Sequence, residues 1–127
     1  MDLREGGLLR WQWSGYLGTH CDRRNLVLHA ATAPVFIAGA FALLSSPLLG
    51  SLAAAGGVGA MGLSLVAQRR GHRLEGKAPA AFRGPLDVIA RFFAEQFVTF
   101  PRFILSGRFA AAWRKAGLGA APSPSRS

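Results

Sequence analysis

Between Asn25 and Gln68 the chain reads NLVLHAATAPVFIAGAFALLSSPLLGSLAAAGGVGAMGLSLVAQ, with no Asp, Glu, Lys or Arg and with His29 as its only titratable side chain. A soluble domain needs charge on its exposed faces, so this stretch predicts contact with lipid. A membrane-spanning helix needs about 20 apolar residues to cross about 30 Å of hydrocarbon. Residues 26–44 and 48–67 both fit, and only Ser45-Ser46-Pro47 separates them as a tight turn. Backbone in lipid must satisfy its own hydrogen bonds, which favours helices. The expected fold is therefore all-α: an integral membrane helical bundle built on a two-helix transmembrane hairpin.

The second run carries Gly50, Ala53, Ala54, Ala55, Gly56, Gly57, Gly59, Ala60 and Gly62. In water so many glycines weaken a helix, whereas in lipid small residues let two backbones approach closely. Ala53/Gly57 and Ala55/Gly59 predict a packing surface, against the first helix or against a second copy in a homo-oligomer.

Composition agrees with lipid. Hydrophobic residues make up 50% of the 127 and charged residues 17%, against about 25% charged in soluble proteins. The formal net charge is +9, and Arg23, Arg24, Arg69, Arg70, Arg73 and Lys77 bracket the apolar block. That placement suits anionic headgroups and speaks against nucleic acid. Basic residues at both ends and an uncharged turn predict cytoplasmic termini. Trp11, Trp13 and Tyr16 precede the first run, where aromatics favour the headgroup level. Cys21 is the only cysteine, so no intrachain disulfide is expected. No apolar core precedes Trp11, so insertion is expected to use the internal segments rather than a cleaved leader.

Gly84-Pro85 should restart the chain after the hairpin. Residues 86–105 then read as a further helix, interfacial or re-entrant, with Asp87, Arg91 and Glu95 four apart on one face and Pro101 kinking or ending it. One membrane-embedded domain over residues 1–116 is expected, with residues 117–127 as a disordered tail.

The three histidines are His20, His29 and His72. In an antiparallel hairpin the start of one helix lies beside the end of the other, so all three imidazoles reach the same membrane face. Neutral imidazole suits iron, zinc and copper. Asn25, four residues before His29, and Gln68, four before His72, fall on the same helix faces and could orient the imidazoles. Glu75 could serve as a fourth ligand, an outer partner or a base. Read singly, a histidine near a membrane boundary is more often a headgroup contact or a satisfied polar residue; an ionisable residue inside a membrane segment favours function for His29. Tyr16 is either a headgroup anchor or a hydrogen-bond donor into the site. Arg73 and Lys77 are topology determinants that could also hold a substrate carboxylate.

These residues form a pattern: Tyr16-xxx-His20-xxxx-Asn25-xxx-His29-xxxx-Pro34, then Gln68-xx-Gly71-His72-xx-Glu75-Gly76-Lys77-Ala78-Pro79-Ala80. Over residues 13–115 the chain resembles the family of small membrane-embedded 2-hydroxy fatty acid dioxygenases, whose fungal members act in fatty-acid α-oxidation during phytosphingosine breakdown. The stretches Ala90-Arg91-Phe92-Phe93-Ala94-Glu95-Gln96-Phe97 and Pro101-Arg102-Phe103 resemble its last helix. Arg69-Arg70 and Leu74 depart from the apolar pair and the aromatic found there in the family. The resemblance implies Fe(II) held by His20, His29 and His72, with O2 and a long-chain 2-hydroxy fatty acid as substrates. Two other readings of the residues stand beside it: a non-enzymatic hairpin that scaffolds the bilayer, and a zinc-dependent lipid hydrolase.

Overall fold

The structure, a computed structural model, describes Arg4 and residues 6–119. Among these residues every regular element is helical: α1 (Leu8–Tyr16) with a 3-10 turn (Leu17–Thr19), α2 (Arg23–Leu49), α3 (Ser51–Arg73), α4 (Pro85–Ala94), a π-helical turn (Glu95–Thr99), α5 (Phe100–Leu105) and α6 (Arg108–Gly119).

The hairpin of α2 and α3 is the backbone of the molecule. At 27 and 23 residues, rising about 1.5 Å per residue, both helices are long and apolar enough to cross a membrane. They meet closely because of glycine. A Cβ on Gly39 would sit 2.7 Å from the Gly57 carbonyl, and one on Gly57 would sit 2.8 Å from the Leu43 amide. Gly56, Gly59 and Gly62 have nothing within reach of a Cβ, so only part of the small-residue set packs against α2. Leu44, Leu48, Leu52 and Leu63 are more than two-thirds exposed, leaving the hairpin an apolar outer surface.

The turn lies at Gly50 and not at Ser45-Ser46-Pro47, because α2 continues through Pro47 to Leu49. Proline cannot donate to the carbonyl four residues back. Here that carbonyl, Leu43, accepts from the Ser46 hydroxyl at 2.7 Å instead. Gly50, at φ +94°, adopts the conformation that ends the helix.

Residues 85–105 are helical throughout and begin at Pro85, as expected. The helix continues past Pro101 to Leu105, and its irregular part is the π-helical turn that precedes the proline, where the Phe100 amide donates to the Glu95 carbonyl. This stretch packs on α1 and α2. Arg4 pairs with Asp87, the Gln12 side chain donates to the Arg91 carbonyl at 3.0 Å, and the Thr99 hydroxyl donates to Gln12. Tyr16, Leu26, Ala33, Phe100 and Phe103 form the buried core, with Phe109 and Trp113 of α6 packed against it. Residues 117–119, expected in the tail, close α6, and the rest of that expected tail lies outside the described residues.

Candidate metal centre

The three histidines come from three differently built segments. His20 follows the 3-10 turn, where the Tyr16 ring stacks on it with centroids 3.7 Å apart. His29 lies nearly two helical turns into α2. His72 lies in the last turn of α3. Their ring centroids are 4.6, 5.0 and 4.9 Å apart, and the rings stand nearly perpendicular to one another. His20 and His29 are fully buried.

Outer contacts set the tautomers. His20 Nδ1 lies 2.9 Å from the Tyr16 carbonyl, and His29 Nδ1 lies 3.1 Å from the Asn25 carbonyl. A carbonyl only accepts, so each Nδ1 carries the proton and each Nε2 turns a lone pair inward. Those two Nε2 atoms and His72 Nδ1 are buried without a hydrogen-bond partner.

The carboxylate that joins them is Glu95, the first residue of the π-helical turn. Its Oε1 lies 3.2 Å from His29 Nε2 and 3.6 Å from His20 Nε2. The Tyr16 hydroxyl donates to the same oxygen at 3.1 Å. Burial, and then the Glu95 charge, push the Tyr16 phenol well above its usual value, so it remains a donor. Burial alone would raise the Glu95 carboxyl. Protons on the facing His20 and His29 Nε2 atoms, whose place a bound cation takes, outweigh that and hold it below the usual carboxylate range.

One ligand atom from each of His20, His29, His72 and Glu95 lies within 4.8 Å of all the others, so the group could hold a metal ion. The chemistry of the donor set fits one. Inward lone pairs facing an ionised carboxylate are acceptors without donors, and leaving them buried and unpaired is costly. A cation at their centre satisfies them together.

Glu75 lies elsewhere. Its carboxylate accepts from the Cys21 and Asp22 amides at 2.9–3.1 Å and from the Asn25 side chain at 2.8 Å. It therefore ties the end of α3 to the start of α2 and has the place of an outer partner. Asn25 reaches His29 through its carbonyl, while its side-chain amide bonds Glu75 and the Thr19 carbonyl. Gln68 bonds no histidine. Its amide pairs reciprocally with Gln96 at 3.0 and 2.7 Å and reaches the Thr32 hydroxyl. Tyr16 points into the site. Arg73 and Lys77 line a cleft beside it.

Glu95 went unseen in the sequence because it reads as the end of a charged helix face. The available signal was an acid among Phe92, Phe93 and Phe97, with no base one turn further on. The Arg91 expected to pair with it bonds the Ala80 and Ala81 carbonyls instead.

The cleft, about 830 Å³, runs between the end of α3, residues 76–82 and α4. His72 and Glu95 open onto it; Leu65, Val66, Phe82 and Phe92 give it apolar walls; Arg69, Arg73 and Lys77 give it positive charge. No protein-family model, curated protein or solved structure matches the chain.

Proposed function

We propose that this chain is an integral membrane, Fe(II)-dependent dioxygenase that shortens a long-chain 2-hydroxy fatty acid by one carbon. The observation that carries the reading is the convergence of three buried, partnerless imidazole nitrogens on Glu95 beside a cleft with apolar walls and a cationic side. The family resemblance supplies the substrate.

Membrane embedding is supported by the surface of the hairpin. Only 33% and 17% of the apolar windows of α2 and α3 are buried within the molecule, whereas the core helix of a soluble protein hides most of its apolar surface. Trp11, Trp13 and Trp113 take the guanidinium groups of Arg4, Arg102 and Arg23 over their rings at the site's end of the hairpin. Aromatic and basic residues at one level suit a headgroup boundary, and the arginine excess there supports cytoplasmic termini.

His20, His29, His72 and Glu95 would hold the iron, which supplies the means of activating dioxygen. Tyr16 keeps the Glu95 carboxylate fixed by stacking on His20 and donating to Oε1. The Tyr16 and Asn25 carbonyls keep the His20 and His29 lone pairs inward. Arg73 and Lys77 offset the charge of the substrate carboxylate, and the apolar walls take the acyl chain, so its tail need not enter water. The overall change balances without another reductant: the 2-hydroxy acid and O2 give the shorter acid, carbon dioxide and water. Four electrons leave the substrate and reduce one O2.

The test is iron-loaded protein in liposomes given 2-hydroxyhexadecanoic acid or hexadecanoic acid. Pentadecanoic acid from the hydroxylated substrate alone, with O2 consumed in equal amount and the product lost in His72→Ala, is the expected result. Iron bound without turnover at any chain length would overturn it, and lipid cleavage without O2 uptake would identify a hydrolase instead.

A further inference from the structure

Arg69 and Arg70 are neighbours, but the helix turns them to different faces, and of the two only Arg69 lines the cleft. Leu65, Arg69 and Arg73 repeat every four residues along one face of α3, each step rising about 6 Å. Arg69 thus stands on that face between Leu65 and Arg73, three residues before His72.

Arg69 is also unpaired: no hydrogen bond, ion pair or ring contact involves it among the described residues. Arg69 is exposed, whereas Arg91, buried at the same cleft, is engaged by the Ala80 and Ala81 carbonyls and the Phe82 ring. The one carboxylate lining the cleft, Glu95, has its Oε1 held by Tyr16 and faced by His20 and His29.

We propose that Arg69 is the specificity-determining residue of this cleft, recognising the carboxylate of a single-chain acid whose tail lies along Leu65, Val66 and Phe92. This rests on the reading of the cleft as the substrate site. A planar guanidinium matches a carboxylate in two parallel hydrogen bonds, which a lysine cannot reproduce. A cleft of about 830 Å³ lies within the roughly 300–1,000 Å³ of sites that enclose one small ligand. The charge of Arg69 selects the acid, and its position sets the head at the level of His72.

The experiment measures equilibrium binding of radiolabelled hexadecanoic acid to the purified full-length protein in detergent, without oxygen. Hexadecan-1-ol and dioleoylphosphatidylglycerol serve as competitors. Arg69→Gln should weaken acid binding about tenfold or more, Arg69→Lys should recover part of the loss, and Arg70→Gln should change nothing. The alcohol should compete weakly, and equally, in the parent and in Arg69→Gln. Should Arg69→Gln fail to fold, the parent and Arg69→Lys, which differ only in the fork, decide by the same comparison of acid with alcohol. Equal acid affinity in the parent and the Arg69 variants, or an equal loss in Arg70→Gln, overturns the proposal. So does Arg69-dependent displacement of the acid by phosphatidylglycerol, which would make a two-chain lipid the occupant. Because no turnover is needed, failure of the oxygenase reaction leaves this result standing, and Arg69-independent binding overturns this proposal alone.

Discussion

Gly71 lies against the Oδ1 atom of Asn25, so closely that an added Cβ would overlap that oxygen and come within 3.2 Å of Leu28. The contact lets the end of α3 reach the start of α2 at the level where Asn25 supports His29. Replacing Gly71 by Ala should force the two helices apart beside the site. The expected cost is about 1–3 kcal/mol, read as a lower midpoint in thermal or denaturant unfolding, with bound metal reduced. Gly59→Ala, where the space is open, should be neutral or stabilising by up to about 1 kcal/mol. Equal behaviour of the two variants would refute this account of Gly71.

The ligand set predicts a graded loss of metal. His20→Ala, His29→Ala and His72→Ala should each remove most bound metal while the helical fold persists. Glu95→Gln should weaken metal binding more than Glu75→Gln, because Glu95 faces the imidazoles and Glu75 does not. Glu75→Gln removes an outer partner, a change that typically costs about 10- to 100-fold in metal affinity. Metal analysis after dialysis against a graded chelator decides the order, and stronger loss in Glu75→Gln would return that residue to the ligand set.

Topology can be read from Ser51, exposed just beyond the turn at Gly50. In a Cys21→Ser background, a cysteine at Ser51 should react with an impermeant thiol reagent added outside the cell, and one at Arg70 only after permeabilisation. Reaction of the Ser51 position from the cytoplasmic side alone would exclude the proposed orientation.

Acid should loosen the attachment of the segment before α1 to α4. The hydrogen bond from Arg4, then that from the Arg83 amide, hold the Asp87 carboxyl below the usual carboxylate range. A carboxylate depressed in the folded state stabilises the fold at pH above its unfolded value of about 4. That contribution is lost as pH falls from there toward the folded value. Asp87→Asn should therefore melt below the parent at pH 7, and the gap should narrow as pH drops under about 4. A gap unchanged between pH 7 and pH 3 would assign the effect to packing rather than to charge.

Residues 25–68 determined by themselves that the chain would build two long apolar helices, because hydrophobic run length and missing charge are properties of one dimension. The convergence of His20, His29 and His72 followed from the same facts, since an antiparallel hairpin brings its two ends together. Sequence rules did less well where a rule has a local substitute. Pro47 looked like a turn, but the Ser46 hydroxyl bonds the carbonyl that proline leaves free, and the chain reverses at Gly50.

Only tertiary structure decided which carboxylate meets the histidines. Glu75 is near His72 in sequence, yet its oxygens close the α2 terminus. Glu95 is distant in sequence and reaches the imidazoles because residues 85–105 fold back on α1 and α2. The π-helical turn at Glu95–Thr99 sets the phase of that helix, burying Gln96 and Thr99 while Glu95 meets the imidazoles. A widened turn shifts the phase of every side chain beyond it, and no spacing rule based on a regular helix follows that shift. The reciprocal pair of Gln68 and Gln96 was hidden for the same reason: each amide is ordinary in sequence, and only the docking of two helices far apart along the chain makes one the partner of the other.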